Sequence, residues 1–75
     1  MYRENVPSRL REARNKAGLT QQELAEATGI ARSTIANYEN GKREPDIENL
    51  CIIAYECNQD VNWICSYTPP EKDKK

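Results

Sequence analysis

The stretch from Leu19 to Pro45 constrains the fold of this chain more strongly than any other part of the sequence. It begins with the capping box Thr20-Gln21-Gln22-Glu23. In such a box the Thr20 hydroxyl accepts a hydrogen bond from the Glu23 N–H, and the Glu23 side chain reaches back to the Thr20 N–H. Gly29 is placed to end that helix with a positive φ, and Asn40-Gly41 ends the next periodic segment. The sequence therefore predicts two short helices joined by one sharp turn.

The apolar residues of this stretch indicate how the two helices pack. The second helix is predicted from about Arg32 to Glu39. Two helices that cross at about 90–120° touch closely near their turn, and the small side chain of Ala25 permits that approach. Leu24, Ile30 and Ile35 would then form the apolar contact that sets the crossing angle.

Three further helical segments flank this pair. Hydrophobic spacing and capping signals predict them at Val6–Ala17, Ile47–Cys57 and Asp60–Tyr67. Asn5, Asp46 and Asp60 are the expected caps, and Gly18 and Asn58 are the expected ends of the first and second segments. The stripe expected to face the core from the first helix comprises Val6, Leu10, Ala13 and Ala17. The sequence predicts a compact, all-α, five-helix domain over residues 1–67 and a disordered charged tail over residues 68–75.

Composition argues against several classes of protein. The three cysteines, Cys51, Cys57 and Cys65, are odd in number, and the chain has no histidine. Reduced thiols are therefore expected rather than a disulfide framework or a metal site. The sequence contains no run of about eighteen apolar residues, so no membrane span is predicted. The first residues also lack the apolar core of a secretion signal. A cytoplasmic protein is therefore expected. Without a histidine or a glycine-rich phosphate loop, an enzyme is not expected, nor is a cofactor or small-molecule ligand.

The chain resembles the Cro and repressor type of helix-turn-helix, the XRE-like family of phage and bacterial regulators. The residues that carry the resemblance lie between Leu10 and Cys65: Thr20-Gln21-Gln22-Glu23-Leu24-Ala25, Gly29, Ile35, Tyr38-Glu39-Asn40-Gly41-Lys42, Pro45, Leu50, Ile53-Ala54 and Val61-Asn62-Trp63-Ile64. The resemblance implies a lambda-repressor-like domain that binds double-stranded operator DNA, usually as a dimer on a two-fold site. It also implies that the third helix enters the major groove.

The outer face of the third helix favours contact with bases over simple solvation. At 100° per residue, Ile35, Tyr38 and Glu39 share the inner side. The outer side is polar and, apart from Arg32, uncharged, and its residues are Arg32, Ser33, Ala36, Asn37 and Asn40. We expect Arg32 to read a guanine edge and Asn37 an adenine edge. Ser33 would contact base or phosphate, and Ala36 would admit a thymine methyl group. A contact from Arg32 to phosphate alone stays open as the alternative.

Phosphate contacts are expected on both sides of this helix. The resemblance implies that Gln21 clamps the DNA backbone, and the N-terminus of its helix suits an anion. The full set of expected phosphate contacts is Gln21, Gln22, Thr34, Asn40, Lys42 and Arg43. The net charge is −1, but residues 1–45 hold eight Lys and Arg against six Asp and Glu. The basic part of the chain therefore coincides with the expected DNA-binding part.

The resemblance also implies an ion pair between Arg14 on the first helix and Glu39 at the end of the third. A buried bidentate pair would join the two helices, and removing one partner would cost about 3–5 kcal/mol. An exposed pair, the alternative, would contribute under about 1 kcal/mol.

The fourth helix is more apolar than one core face requires. Cys51, Ile52 and Tyr55 lie on an arc away from the inward stripe, and an exposed apolar patch often marks association. This arc is a candidate homodimer or partner surface, unless Cys51 and Tyr55 pack under the N-terminal arm.

Two functions follow as hypotheses. The first is sequence-specific transcriptional regulation, as a repressor; the alternative is a protein-interaction module, antitoxin-like or antirepressor-like, that works through the fourth helix.

Position 31 departs from the family pattern. Ala31 stands where a residue such as Ser, Thr or Asp often caps the third helix, and its side chain cannot form that cap.

Overall fold

The computed structural model describes residues 5–65, which fold into five helices with no strand among them. The helices are α1 (Val6–Lys16), α2 (Gln21–Thr28), α3 (Arg32–Glu39), α4 (Ile47–Glu56) and α5 (Val61–Cys65). The predicted all-α, five-helix class is therefore confirmed. The predicted end of the last helix near Tyr67, the limits 1–67 of the domain and the tail at 68–75 lie outside the described residues.

Local capping chemistry sets most of the helix ends. Asp46 caps α4 by accepting from the Asn49 N–H at 2.9 Å, and Asp60 accepts from the Asn62 N–H at 2.9 Å at the start of α5. Asn58 follows α4 with φ +58°, as its predicted role as a left-handed terminus requires. These ends agree with the sequence because a cap depends on residues within one turn of it.

The start of α1 differs from the prediction. Asn5 occupies the N-cap position, but its side chain makes no capping hydrogen bond. Its backbone is helical there (φ −92°, ψ −8°), whereas a capping side chain needs an extended backbone to reach the next N–H groups. Instead, the Ser8 hydroxyl donates to the Asn5 carbonyl at 3.2 Å. Ala17, expected on the core stripe, is exposed; it lies at the C-cap, one residue beyond the end of α1.

The core lies where all five helices meet. Its largest fully buried side chains are Leu10, Leu24, Ile35, Ile53 and Ile64, one from each helix. Burial of a Leu or Ile side chain contributes roughly 1.5–3 kcal/mol, so each helix is held by at least one strong apolar contact. Helix α1 packs on α3 and α5, α2 packs on α3 and α4, and α4 packs on α5. Helix α3 is thus supported from two sides.

The three cysteines lie in different surroundings. Cys51 is exposed on α4, Cys57 is buried and Cys65 is partly buried. Within residues 5–65, no group of His, Cys, Asp or Glu side chains is arranged to hold a metal ion. In the same range no helix is both long enough and apolar enough to cross a membrane.

Candidate DNA interface

Hydrogen bonds at both ends of α2 define this helix and the turn that leads from it to α3. The Glu23 N–H donates to Thr20 Oγ1 at 3.0 Å, and the Thr20 N–H donates to Glu23 Oε1 at 2.9 Å. At the other end of α2, Gly29 adopts φ +77°. A Cβ atom there would meet nothing within 4 Å, so the need for glycine is conformational rather than steric. Thr28 completes the turn by accepting from the Ile30 N–H at 3.2 Å.

The inner face of α3 is anchored by apolar burial and one polar bridge. Ile35, Tyr38 and Glu39 are buried, as the helical periodicity predicts. Tyr38 also accepts a hydrogen bond at its hydroxyl from Asn49 Nδ2 at 2.9 Å, which ties α3 to α4. Because this face is fixed, the opposite face of α3 has a defined orientation.

That opposite face is where the sequence-predicted reading residues lie. Arg32 and Ser33 are exposed, and Ala36 and Asn37 are partly buried. The four residues share the side of α3 that faces away from the core, so the structure brings them together. Ala31, at the N-cap, provides no side-chain hydrogen bond, so α3 begins without a side-chain cap.

Glu39 is the centre of a polar network that joins three helices. Arg14 on α1 donates to it twice, from Nε to Oε2 at 2.8 Å and from Nη2 to Oε1 at 3.0 Å. This hydrogen bonding raises the pKa of Arg14, against the opposing effect of burial. Gln21 on α2 donates from Nε2 to Glu39 Oε1 at 3.1 Å. Glu39 is 2% exposed, and no buried side-chain N or O atom among the described residues lacks a partner.

Gln21 is engaged on both sides of its amide group. While its Nε2 donates to Glu39, its Oε1 accepts from Arg32 Nη1 at 3.3 Å. The residue expected to clamp phosphate thus lies beside the residue expected to read a base. Gln22, the second glutamine of the box, donates to Glu26 along the surface of α2 at 3.0 Å. The phosphate contacts of both glutamines stay predictions.

The loop after α3 folds back on the end of the helix. The Lys42 and Arg43 N–H groups both donate to the Asn37 carbonyl, at 2.9 and 3.3 Å. The side chains of Asn40, Lys42 and Arg43 are exposed. Thr34, partly buried, lines a shallow groove together with Arg43. The loop backbone is therefore fixed, while its polar side chains are exposed next to the end of α3.

Sequence reasoning missed two features near these surfaces. The first is Arg11, whose Nη2 donates to the Glu39 carbonyl at 2.8 Å. The available signal was its position three residues before Arg14, on the same side of α1. The second is Ile47, which is 73% exposed. It extends the candidate partner surface at the i, i+4, i+8 spacing of one helix face, through Cys51 to Tyr55.

The three residues predicted for the candidate partner surface differ in their exposure. Tyr55 is 82% exposed and Cys51 is exposed, so neither is packed under another described segment. Ile52 instead packs partly against the core. The exposed apolar stripe of α4 is therefore Ile47, Cys51 and Tyr55.

Comparison with known proteins gives matches over most of the described chain. The chain is 39% identical over 60 residues to the HTH-type transcriptional regulator ImmR of Bacillus subtilis, covering 80% of this chain and 47% of ImmR. It is 46% identical over 46 residues to the regulator AnsR of the same organism, covering 61% of this chain and 40% of AnsR. An uncharacterized HTH-type transcriptional regulator of Archaeoglobus fulgidus is 34% identical over 64 residues, covering 85% of this chain and 90% of that protein.

The chain spans about half the length of the first of these relatives, and no solved structure matches it. The sequence pattern of the helix-turn-helix family matches residues 10–64. That range covers most of the chain and runs from α1 through the Thr20 capping box and the Gly29 turn into α5. The chain therefore belongs to the helix-turn-helix family.

Proposed function

We propose that this chain binds double-stranded DNA sequence-specifically through α3 and regulates transcription. The observation that carries the proposal is the outward face of α3, where Arg32, Ser33, Ala36 and Asn37 lie on a helix fixed by burial and by the Glu39 network. A helix held in this way can enter the major groove and present short polar side chains to base edges. The relatives named as transcriptional regulators support the same function.

Selection of bound duplexes from a random pool tests this function. We expect one consensus sequence, and a failure to enrich any sequence above the starting pool would contradict specific binding. Arg32→Ala should then relax discrimination at one base pair by about 1–3 kcal/mol. Lys42→Ala is the matched control, since loss of a phosphate contact weakens binding to all sequences alike. Uniform weakening by Arg32→Ala would assign Arg32 to phosphate instead.

We further propose that the chain acts as a homodimer on a two-fold site and represses transcription in the cytoplasm. A dimer would place two α3 helices about 34–36 Å apart, on successive turns of the major groove. The exposed stripe of Ile47, Cys51 and Tyr55 is the surface that supports self-association. A binding role rather than an enzymatic one is proposed, because the chain has no histidine and no glycine-rich phosphate loop.

Sedimentation of charged variants tests the dimer. Ile52 is unsuited to this purpose because it packs partly against the core, so Ile47→Glu and Tyr55→Glu are preferred. We expect both to shift sedimentation towards the monomer, whereas the exposed Glu56→Gln on the same helix should not. If the unmodified chain and both Glu variants all sediment as monomers, with and without DNA, the dimer is excluded.

The alternative function is a protein-interaction module, favoured by the 82% exposure of Tyr55 and the 73% exposure of Ile47. In that case the same α4 stripe would bind a different protein, and α3 would bind no DNA. Titration with duplex DNA at several salt concentrations distinguishes the two. Salt-dependent binding supports regulation through DNA, whereas a stoichiometric protein complex without DNA binding supports the module.

A further inference from the structure

The C-terminal end of α3 has its backbone carbonyls satisfied by two different kinds of donor. The Ala36, Asn37 and Tyr38 carbonyls accept backbone N–H groups from residues 40–43 of the following loop. The Glu39 carbonyl accepts from the side chain of Arg11, at 2.8 Å from Nη2. The last turn of a helix leaves such carbonyls without intrahelical donors. Arg11 on α1 therefore completes the capping of the reading helix.

The charges around Glu39 leave one positive charge in excess. Arg14 already neutralises the carboxylate through two hydrogen bonds, at 2.8 and 3.0 Å. Arg11 is a second cation, with Nε 3.9 Å from Glu39 Oε1. Its side chain is 48% exposed, whereas that of Arg14 is 13% exposed. Arg14 thus belongs to the interior, and the charge of Arg11 is presented at the surface.

Arg11 also has hydrogen-bond donors to spare. A guanidinium carries five N–H donors in a planar fork that matches the oxygens of a phosphate. Within residues 5–65, one of these donors is used, at the Glu39 carbonyl. This hydrogen bond already orients the Arg11 guanidinium. Less conformational entropy is therefore lost when the guanidinium binds a second acceptor.

The position of Arg11 places this charge beside the expected phosphate contacts. It touches Glu39, the residue before Asn40, at the end of α3. One turn earlier on α1, Pro7 lies against the loop, since a Cβ at Gly41 would be 3.6 Å from Pro7 Cγ. The first half of α1 therefore runs next to the segment that carries Lys42 and Arg43.

From these contacts we propose that Arg11 contacts a DNA phosphate and at the same time positions the C-terminal end of α3. The inference rests on the proposed DNA binding and adds α1 to the surface that grips the DNA backbone. A duplex bound by α3 would meet Arg11 next to Asn40, on the flank of the interface opposite the Gly29 turn. The contact carries no base preference of its own, because phosphate is the same at every sequence.

Salt-dependent DNA binding by Arg11→Gln tests the proposal. We expect the slope of log affinity against log salt to fall in magnitude by about 0.9, the value for one phosphate contact. Affinity at low salt should fall about five- to tenfold, alike on all duplex variants. Lys16→Gln is the matched control: it removes the same charge from the same helix, but Lys16 faces the ring of Trp63 on α5, 5.2 Å away. Its slope should stay closer to that of the unmodified chain.

A second variant keeps the test decisive if Arg11→Gln does not fold. Arg11→Lys retains the charge, so its slope should match the unmodified chain. On duplexes with single neutral methylphosphonates, one position that weakens the unmodified chain should have a smaller effect on Arg11→Lys, which lacks the planar fork. An unchanged slope in a folded Arg11→Gln, or identical methylphosphonate maps, would overturn the role of Arg11 while leaving DNA binding intact. If the unmodified chain shows no salt-dependent binding to any duplex, the proposed function fails first and this inference with it.

Discussion

Glu39 is the most deeply buried charged side chain among the described residues, at 2% exposed. Arg14 and Gln21 together donate three hydrogen bonds to its carboxylate, at 2.8 to 3.1 Å. A buried carboxylate without such donors would be strongly unfavourable. The network therefore requires α1 and α2 to pack beside Glu39. Loss of the Glu39 charge would leave Arg14 on α1 without its partner.

This burial leads to a stability prediction for Glu39→Gln. The variant keeps the shape of the side chain but leaves the Arg14 charge uncompensated, so we expect a loss of about 3–5 kcal/mol in the free energy of unfolding. Urea or thermal unfolding measures it, with the exposed Glu12→Gln on α1 as the control. A loss below about 1 kcal/mol would mean that the pair behaves like a surface ion pair.

The cysteines give a second prediction at the residue scale. Burial raises the pKa of the Cys57 thiol, and the nearby Glu56 carboxylate raises it further. Because the thiolate is the reactive form, Cys57 stays protonated over a pH range in which an ordinary thiol begins to ionise. Maleimide labelling followed by mass spectrometry should modify the exposed Cys51 first, and Cys57 only when the domain opens. Equal labelling rates for the two residues in the folded protein would contradict this.

Individual helices differ in how well their ends are satisfied. Helix α2 has a complete capping box, whereas α3 begins at Ala31 with no side-chain cap. The Ala31 backbone (φ −60°, ψ 142°) already lies outside the helical region, so a short hydroxyl side chain there has the geometry that a cap requires.

We therefore expect Ala31→Ser to stabilise the domain by about 0.5–2 kcal/mol, through a hydrogen bond from the N–H groups at the start of α3. Urea unfolding measures the gain. The control is Ala27→Ser at an exposed site within α2, where serine lowers helix propensity and should not stabilise. A stability equal to that of the unmodified chain would show that the first turn of α3 is already satisfied by solvent.

At this scale the sequence predicts helix existence and most caps, because these depend on neighbouring residues. The sequence does not predict side-chain exposure where tertiary packing determines it. The exposure of Ile47 and the inward packing of Ile52 depend on how α4 is rotated against the core. The bond from Arg11 to the Glu39 carbonyl spans 28 residues of sequence. The spacing of Arg11 and Arg14 places both on one side of α1, but it does not identify the carbonyl that Arg11 meets. The outer face of α3 was predictable because helical periodicity alone separates it from Ile35 and Tyr38.

Across the described chain, α1 joins α3 to the C-terminal helix α5. It contacts Glu39 through Arg11 and Arg14. It contacts α5 through Arg9, which lies 4.6 Å from the ring centroid of Trp63 and donates to the Trp63 carbonyl at 2.9 Å. Lys16 lies 5.2 Å from the same ring. Two cations from one helix therefore hold the short α5 in place.

This arrangement predicts that Arg9→Gln weakens the docking of α5. Loss of a cation–π contact and of one charged hydrogen bond should lower the free energy of unfolding by about 1–3 kcal/mol. The emission of Trp63, the only tryptophan of the chain, should shift to longer wavelength as the ring meets more water. Lys16→Gln, which loses the ring contact alone, should cost about 0.5–1 kcal/mol. Equal losses of stability in the two variants would contradict a contribution from the hydrogen bond between the Arg9 side chain and the Trp63 carbonyl.

The bond between Gln21 and Arg32 has a consequence for redesign of the binding preference. Among the described residues, the side chains of Ser33, Ala36 and Asn37 make no hydrogen bond to another helix, so a substitution there breaks no such bond. Arg32 is different, because its partner Gln21 is in turn bonded to Glu39. A library that varies these three positions should yield folded proteins that prefer different DNA sequences. Position 32 has to be varied together with position 21, because the Gln21 amide that accepts from Arg32 also donates to the buried Glu39 carboxylate.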